Sequence, residues 1–466
     1  MPHISSPRAL LAVALVLAGT GCGVSQHELK PTDIRPLPNP AWRGNGPEGA
    51  YIRVRGLDSA LAESPGAPVR VLLVHGMRTF EPGYSAVQQH GLAERLNLVP
   101  AQPQAEMPDT VTLLPVNREY EVEVAVGPQP LGRVALRESE VRRRAWVDPR
   151  DGRVRVVFYE LLWAPLRDDV KRRFFACFEV LPTPDPGCPP PEAEQNVDRR
   201  AFFNRRIKDQ ILVDGFSDAT IVLGPVGDVL RDDVSLALCM VATDVLRDGG
   251  FAVRQSPEDR CDLASSVQPA DRPRANEALR AAEFFAMTHS LGSFLLMDAL
   301  WTAADTTESR RGRGLDEAAA TRDVAEFFLM DDATVFMRAN QFALLNLARL
   351  GAVCVPRSER GRCPTEALPG VDEMFRAPDV FGMFTQYVAF NDVNDLLGFE
   401  LPPYIASTGL AGTLVNVTVQ NPTWRLLGLK NPGGAHNNSD RNPAILDAMV
   451  RGFDLPADRV PGNGFR

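Results

Sequence analysis

The stretch Phe284-Phe285-Ala286-Met287-Thr288-His289-Ser290-Leu291-Gly292-Ser293 runs from an apolar strand pattern straight into a serine and then into a helix pattern. A chain that reverses from strand to helix in one step puts the joining residue on a tight, strained turn. The positions two before and two after must then be small so that the backbones can pass. Gly292 meets that demand, and Thr288 meets it poorly. The turn aims the Ser290 hydroxyl out of the sheet, where it is free to react. The same serine has a plainer use, as the cap of a helix running from Leu291 to about Trp301.

A second segment has matching character. Val69-Arg70-Val71-Leu72-Leu73-Val74 is almost wholly apolar and rich in β-branched residues, as expected of a parallel strand covered on both faces. It ends at His75-Gly76-Met77, where a glycine lets the backbone approach another group closely. Further strand patterns cover Arg155 to Trp163, Thr334 to Ala339, Gln386 to Phe390 and Thr413 to Val419. Helical periodicity marks Trp163 to Phe175 and parts of Phe202 to Val245.

An early strand followed by His-Gly and a later strand followed by Thr-x-Ser-x-Gly is similar to the α/β-hydrolase superfamily, over most of residues 67 to 455. The resemblance implies an α/β fold, a doubly wound and mainly parallel sheet; alternating patterns at Tyr120 to Val126 and Arg133 to Glu138 mark a β-rich insertion at about 78–153 after the first core strand. It implies that Ser290 is the nucleophile and that the oxyanion hole is built from the backbone N–H groups of Leu291 and of Met77 or a near neighbour, beside Gly76. In this superfamily the chain order is serine, acid, histidine. Of the six histidines, His3, His27, His75 and His90 precede the serine and His289 adjoins it, which leaves His436, in a polar, glycine-rich loop, as the base. The acid follows the strand Gln386–Phe390, where Asp395 is preferred and Asp392 is the alternative. Thr288 in place of glycine, and a His-Gly without further glycines, are the two departures from the family pattern.

The implied chemistry is hydrolysis of a carboxylic ester, from a small molecule or a lipid, through an acyl-enzyme and with no cofactor or metal. Two alternatives share the fold. One is a catalytically silent binding module of the cell envelope, and the other is a transacylase that uses the same serine.

The amino terminus bears on location. A ten-residue apolar core, Ala9 to Ala18, ends at Gly19-Thr20-Gly21-Cys22 and is too short to span a bilayer as a helix. It reads as a signal peptide over residues 1–21, and the small residues before Cys22 resemble the lipobox of bacterial lipoproteins. Residues 22–50 are then a lipidated cysteine and a flexible tether, and 51–466 the catalytic domain. The expected place is a membrane face in the periplasm or outside the cell, with secretion as a soluble protein the alternative. The remaining six cysteines form three sequential pairs that suit an oxidising compartment: Cys177 with Cys188, Cys239 with Cys261, and Cys354 with Cys363. A net charge of −9 argues against a nucleic-acid partner. No Cys/His spacing resembles a zinc site.

Overall fold

The computed structural model describes residues 23–24, 29–36, 53–77, 80–101, 110–112, 122–126, 129–134, 139–175, 217–224, 226–253, 267–300, 333–341, 345, 386–401, 413–426 and 429–454. Its strands, in chain order, are β1 (Gly23–Val24), β2 (Leu29–Pro36), β3 (Arg53–Val54), β4 (Val69–Val74), β5 (Val99–Pro100), β6 (Thr110–Thr112), β7 (Val122–Val126), β8 (Gln129–Val134), β9 (Glu140–Val147), β10 (Val154–Leu162), β11 (Phe284–His289), β12 (Thr334–Arg338), β13 (Gln386–Asp392), β14 (Thr413–Val419), β15 (Trp424–Leu426), β16 (Leu429–Lys430) and β17 (Phe453–Asp454). The helices are α1 (Leu57–Glu63), α2 (Ala86–Arg95), α3 (Ala164–Phe175), α4 (Ser217–Leu223), α5 (Val226–Asp248), α6 (Arg272–Arg280), α7 (291–300), α8 (Pro432–Asn437) and α9 (Pro443–Arg451).

The main sheet is mixed and mostly parallel, with ten strands. At its centre β10, β4, β11, β12, β13 and β14 lie side by side in parallel. Near-continuous apolar strands such as β4 and β12, buried at every residue, suit this centre because both of their faces are covered. On one face, Leu72, Val74, Tyr159, Ala286 and Met337 share a core with residues of α5 and α7. On the other, Val71, Leu73, Phe158, Phe285 and Phe336 pack with residues of α1, α2 and α9. There the rings of Phe285, Phe336 and Phe390 stack across three adjacent strands at 6.2 and 6.0 Å. The fold is therefore α/β, with helices on both faces of the sheet.

Both edges turn antiparallel. The β9–β10 hairpin closes through Asp148-Pro149-Arg150-Asp151-Gly152, where Gly152 takes φ +69° and donates its N–H to the Asp148 carbonyl at 2.8 Å. β5 and β6 then pair with β9, while β7 and β8 form a separate two-stranded ribbon.

Two expectations are corrected and one is extended. Within the segment read as a flexible tether, Leu29–Pro36 pairs with β14 as an edge strand and Gly23–Val24 pairs with β15. Its alternating pattern is short and interrupted by prolines, which an edge strand tolerates because one row of its backbone groups needs no partner. Second, the insertion at 78–153 is β-rich and also contains one helix, α2. The buried stripe of that helix is Gln88, Gln89, Leu92 and Ala93, so two of the four core-facing residues are polar and the apolar period is hidden. Gln89 donates from Nε2 to Ser85 Oγ at 2.7 Å. Third, His436 stands in a short helix, α8, and not in an open loop.

Candidate active site

The carboxyl ends of β4, β11, β12 and β13 meet along one edge, which is where sites form in open parallel sheets. At the end of β11 the chain turns into α7 through Ser290, which adopts φ +54°. A left-handed conformation at a non-glycine residue is strained and persists only where its surroundings enforce it. The enforcement is visible: the Ser290 N–H donates to the Arg338 carbonyl at 2.9 Å, and its own carbonyl accepts from the Ser293 N–H at 3.1 Å.

The small residues beside the serine answer to contact. A Cβ on Gly292 would lie 2.3 Å from the His75 carbonyl oxygen and 2.6 Å from that of Val74, so only glycine lets α7 pass the end of β4. A Cβ on Gly76 would lie 2.6 Å from the Ser290 Cβ. Thr288, the expected misfit, is buried with its hydroxyl 2.7 Å from that of Ser293. The larger side chain is accepted because α7 offers it a polar partner.

Ser290, His436 and Asp395 come together from three separate elements. Ser290 Oγ lies 2.9 Å from His436 Nε2, and His436 Nδ1 lies 2.9 and 2.8 Å from the two carboxylate oxygens of Asp395. With Nδ1–H donating to the carboxylate, Nε2 carries the lone pair that accepts from the serine hydroxyl. Asp395 Oδ1 also accepts from the Leu397 N–H at 2.9 Å. The turn is tight, since a Cβ on Gly398 would lie 2.4 Å from Asp395 Oδ2. All three residues are buried, Ser290 at 1%, Asp395 at 7% and His436 at 8% exposure.

Asp392, the alternative acid, serves elsewhere. Its Oδ2 accepts from Lys430 Nζ and the Asn421 N–H, both at 2.7 Å, and its Oδ1 accepts from the Asn394 N–H at 2.9 Å. It is a buried ion pair that ties the acid loop to β16.

The other histidines have structural partners. His75 donates from Nδ1 to the Gly76 carbonyl at 2.8 Å and accepts at Nε2 from the Trp163 N–H at 3.2 Å. The Trp163 indole returns a bond to the His75 carbonyl at 3.1 Å and stacks on the imidazole at 4.7 Å. Burial holds this ring neutral, with its pKa down at about 3. His289 donates from Nε2 to the His436 carbonyl at 3.0 Å. Burial keeps it well below the usual range, so it too is neutral. Asn421 Nδ2 also donates to the backbone of α8, at the Ala435 carbonyl, at 2.6 Å. His90 lies on α2 and bonds the Ala86 carbonyl, away from the triad.

Met77 follows Gly76 on the loop against Ser290, and Leu291 is the first residue of α7. Neither N–H donates a hydrogen bond to another described residue. The supporting roles of Asn421 and Lys430, and the bonds of Trp163 to His75, were not anticipated from sequence. Each acts through a long-range hydrogen bond, for which no local pattern exists. Lys430 had the best signal, as a lone cation between leucines and a helix start.

Cys239 is disulfide-bonded. Cys22, Cys177, Cys188, Cys261, Cys354 and Cys363 lie outside the described residues, as do His3 and His27. Among the described residues no cluster of His, Cys, Asp or Glu is arranged to hold a metal ion, and no helix is long and apolar enough to cross a membrane. In comparisons with protein-family models, curated proteins and solved structures, nothing matches this chain. A functional reading therefore rests on the geometry of the site.

Proposed function

We propose that this protein is a serine hydrolase of the α/β-hydrolase type that cleaves carboxylic esters through an acyl-enzyme. The observation that carries the reading is the unbroken chain from Ser290 Oγ to His436 at 2.9 Å and from His436 to Asp395 at 2.8 Å, with the serine on a left-handed turn. A serine hydroxyl is a poor nucleophile unaided, and these are the neighbours that activate it.

In this mechanism Oγ attacks the ester carbonyl carbon while His436 Nε2 takes the hydroxyl proton. Asp395 holds the ring in the required tautomer and stabilises the imidazolium. The negative oxygen of the tetrahedral intermediate accepts from the N–H groups of Leu291 and Met77, the former at the positive end of α7. Collapse breaks the carbon–oxygen bond to the alcohol, which leaves with the proton from His436. Water then repeats the sequence on the acyl-serine, releasing the acid and restoring the enzyme. His75, locked by Trp163, keeps the oxyanion loop in place while remaining uncharged.

The test combines a fluorophosphonate probe with short p-nitrophenyl esters. The parent protein is expected to be labelled and to hydrolyse them, and Ser290→Ala to lose both. Substituted protein that retains turnover near the parent level sinks the reading, and a parent that neither labels nor hydrolyses favours a silent binding module. The reading extends to location: Cys22 is acylated and holds the domain at a membrane face. The mature protein should then partition into detergent and lose that behaviour on Cys22→Ser, because several acyl chains at about 0.8 kcal/mol per buried CH₂ are needed for stable anchoring.

A further inference from the structure

β12 ends in a cation at the same sheet edge as the nucleophile. Arg338 is in register with His289 on β11, one strand spacing away at about 4.8 Å. Its carbonyl accepts the Ser290 N–H, so its backbone already belongs to the nucleophile turn. The residue is only 6% exposed, yet its guanidinium makes no hydrogen bond or ion pair with any described residue, and Nε is enclosed without an acceptor.

Other buried arginines on this fold are matched. Arg70 meets Asp248 at 2.5 Å, and Arg167 meets Asp218 at 2.5 Å. Around Arg338 the groups within electrostatic reach are Asp440, Tyr84 and His289. Asp440 forms no ion pair with it. Tyr84 gives its proton to the Leu73 carbonyl at 3.0 Å, and burial keeps its hydroxyl neutral. His289 is neutral and committed to the His436 carbonyl. An unpaired buried charge costs several kcal/mol, and burial lowers the pKa of this guanidinium. The charge, unmatched among the described residues, stands beside the histidine that touches the catalytic one.

We infer that Arg338 is an anion subsite of the Ser290 centre, which binds the free carboxylate of an ester substrate that carries one, such as the half-ester of a dicarboxylic acid. This deepens the hydrolase reading and rests on it. A planar guanidinium suits the task because it meets a carboxylate through two parallel N–H bonds.

The experiment uses full-length Ser290→Ala protein, which binds without turnover, and titrates monomethyl glutarate against dimethyl glutarate by calorimetry. The charged half-ester is expected to bind about 10- to 100-fold more tightly, the range for a hydrogen bond to a charged group. Adding Arg338→Met should abolish that preference, and adding Arg338→Lys should keep part of it. Equal binding of the two esters, no binding of the half-ester at millimolar concentration, or a preference that survives Arg338→Met overturns the inference. Should Arg338→Met fail to fold, the preference in the Ser290→Ala parent and its reduction in Arg338→Lys decide alone. Absence of ester hydrolysis by the native protein sinks the hydrolase reading, whereas absence of charge preference with hydrolysis intact sinks only the subsite.

Discussion

Two neighbouring strands of the sheet end in the same unusual backbone turn. Ser290 after β11 has φ +54°, and Ala339 after β12 has φ +45°. Each donates its N–H to a carbonyl of the next strand, Ser290 to Arg338 and Ala339 to Phe390, both at 2.9 Å. The backbone devices are alike, and their fates differ. Ser290 meets His436 from α8, which in turn meets Asp395 from the loop after β13, whereas Ala339 has no group that can react. A strained turn at a strand end is thus a consequence of packing parallel strands into a sheet edge, and it becomes a site only when other elements converge on it.

The largest expected effect separates Asp392, the last residue of β13, from Asp395 in the turn beyond it. Asp395→Asn should lower kcat for ester hydrolysis by about 10⁴-fold, since an amide at that place favours the wrong imidazole tautomer. Steady-state kinetics on the folded variant checks this, and a loss under tenfold removes Asp395 from the triad. Asp392→Asn should act on stability instead. It leaves Lys430, 2% exposed, without its carboxylate partner, and breaking such a buried pair costs about 3–5 kcal/mol. Denaturant unfolding measures the loss, and a larger fall in kcat than in Asp395→Asn would reverse the two assignments.

Gly292→Ala sharpens what the Ser290 turn demands. The new methyl meets backbone oxygens at 2.3 and 2.6 Å, so α7 or the His75 loop must shift. Overpacking of this kind costs about 1–3 kcal/mol, and movement of the oxyanion loop should lower kcat more than it raises KM. Unchanged stability and turnover would show that the two loops are looser than their contacts imply. The smallest effect belongs to the other turn. In Ala339→Gly, relief of left-handed strain, about 1–2 kcal/mol, is offset by the lost buried methyl and added chain freedom, about 0.8 and 0.5–1 kcal/mol. Thermal unfolding should move by less than about 1 kcal/mol equivalent, and a loss above about 2 kcal/mol would break the parallel between the turns.

Much of the sheet was legible. The strands near Val69, Arg155, Thr334, Gln386 and Thr413 fall within a residue or two of their expected places, because continuous apolar runs have few uses other than a sheet buried on both faces. Legibility failed where the buried face was polar or interrupted, as in α2 with Gln88 and Gln89 and in β2 with its prolines. It failed again at α8, whose glycines read as a loop. Gly434 is there because a Cβ would lie 2.2 Å from Thr423 Oγ1, a contact that no local pattern announces.

Local order along the chain determined that Ser290 stands between a buried strand and a helix, flanked by glycine, and that Gly76 closes an early strand. These are properties of adjacent residues, set by backbone sterics and by the period of apolar side chains. Which aspartate faces His436 was decided only in three dimensions. Asp392 and Asp395 are three residues apart in the same polar stretch, and their roles divide because Lys430 and Asn421 reach one while His436 reaches the other. That Arg338 meets no charged partner among the described residues was hidden for the same reason. Whether a buried charge is paired depends on what distant segments bring to it, and electrostatic pairing leaves no period in the sequence.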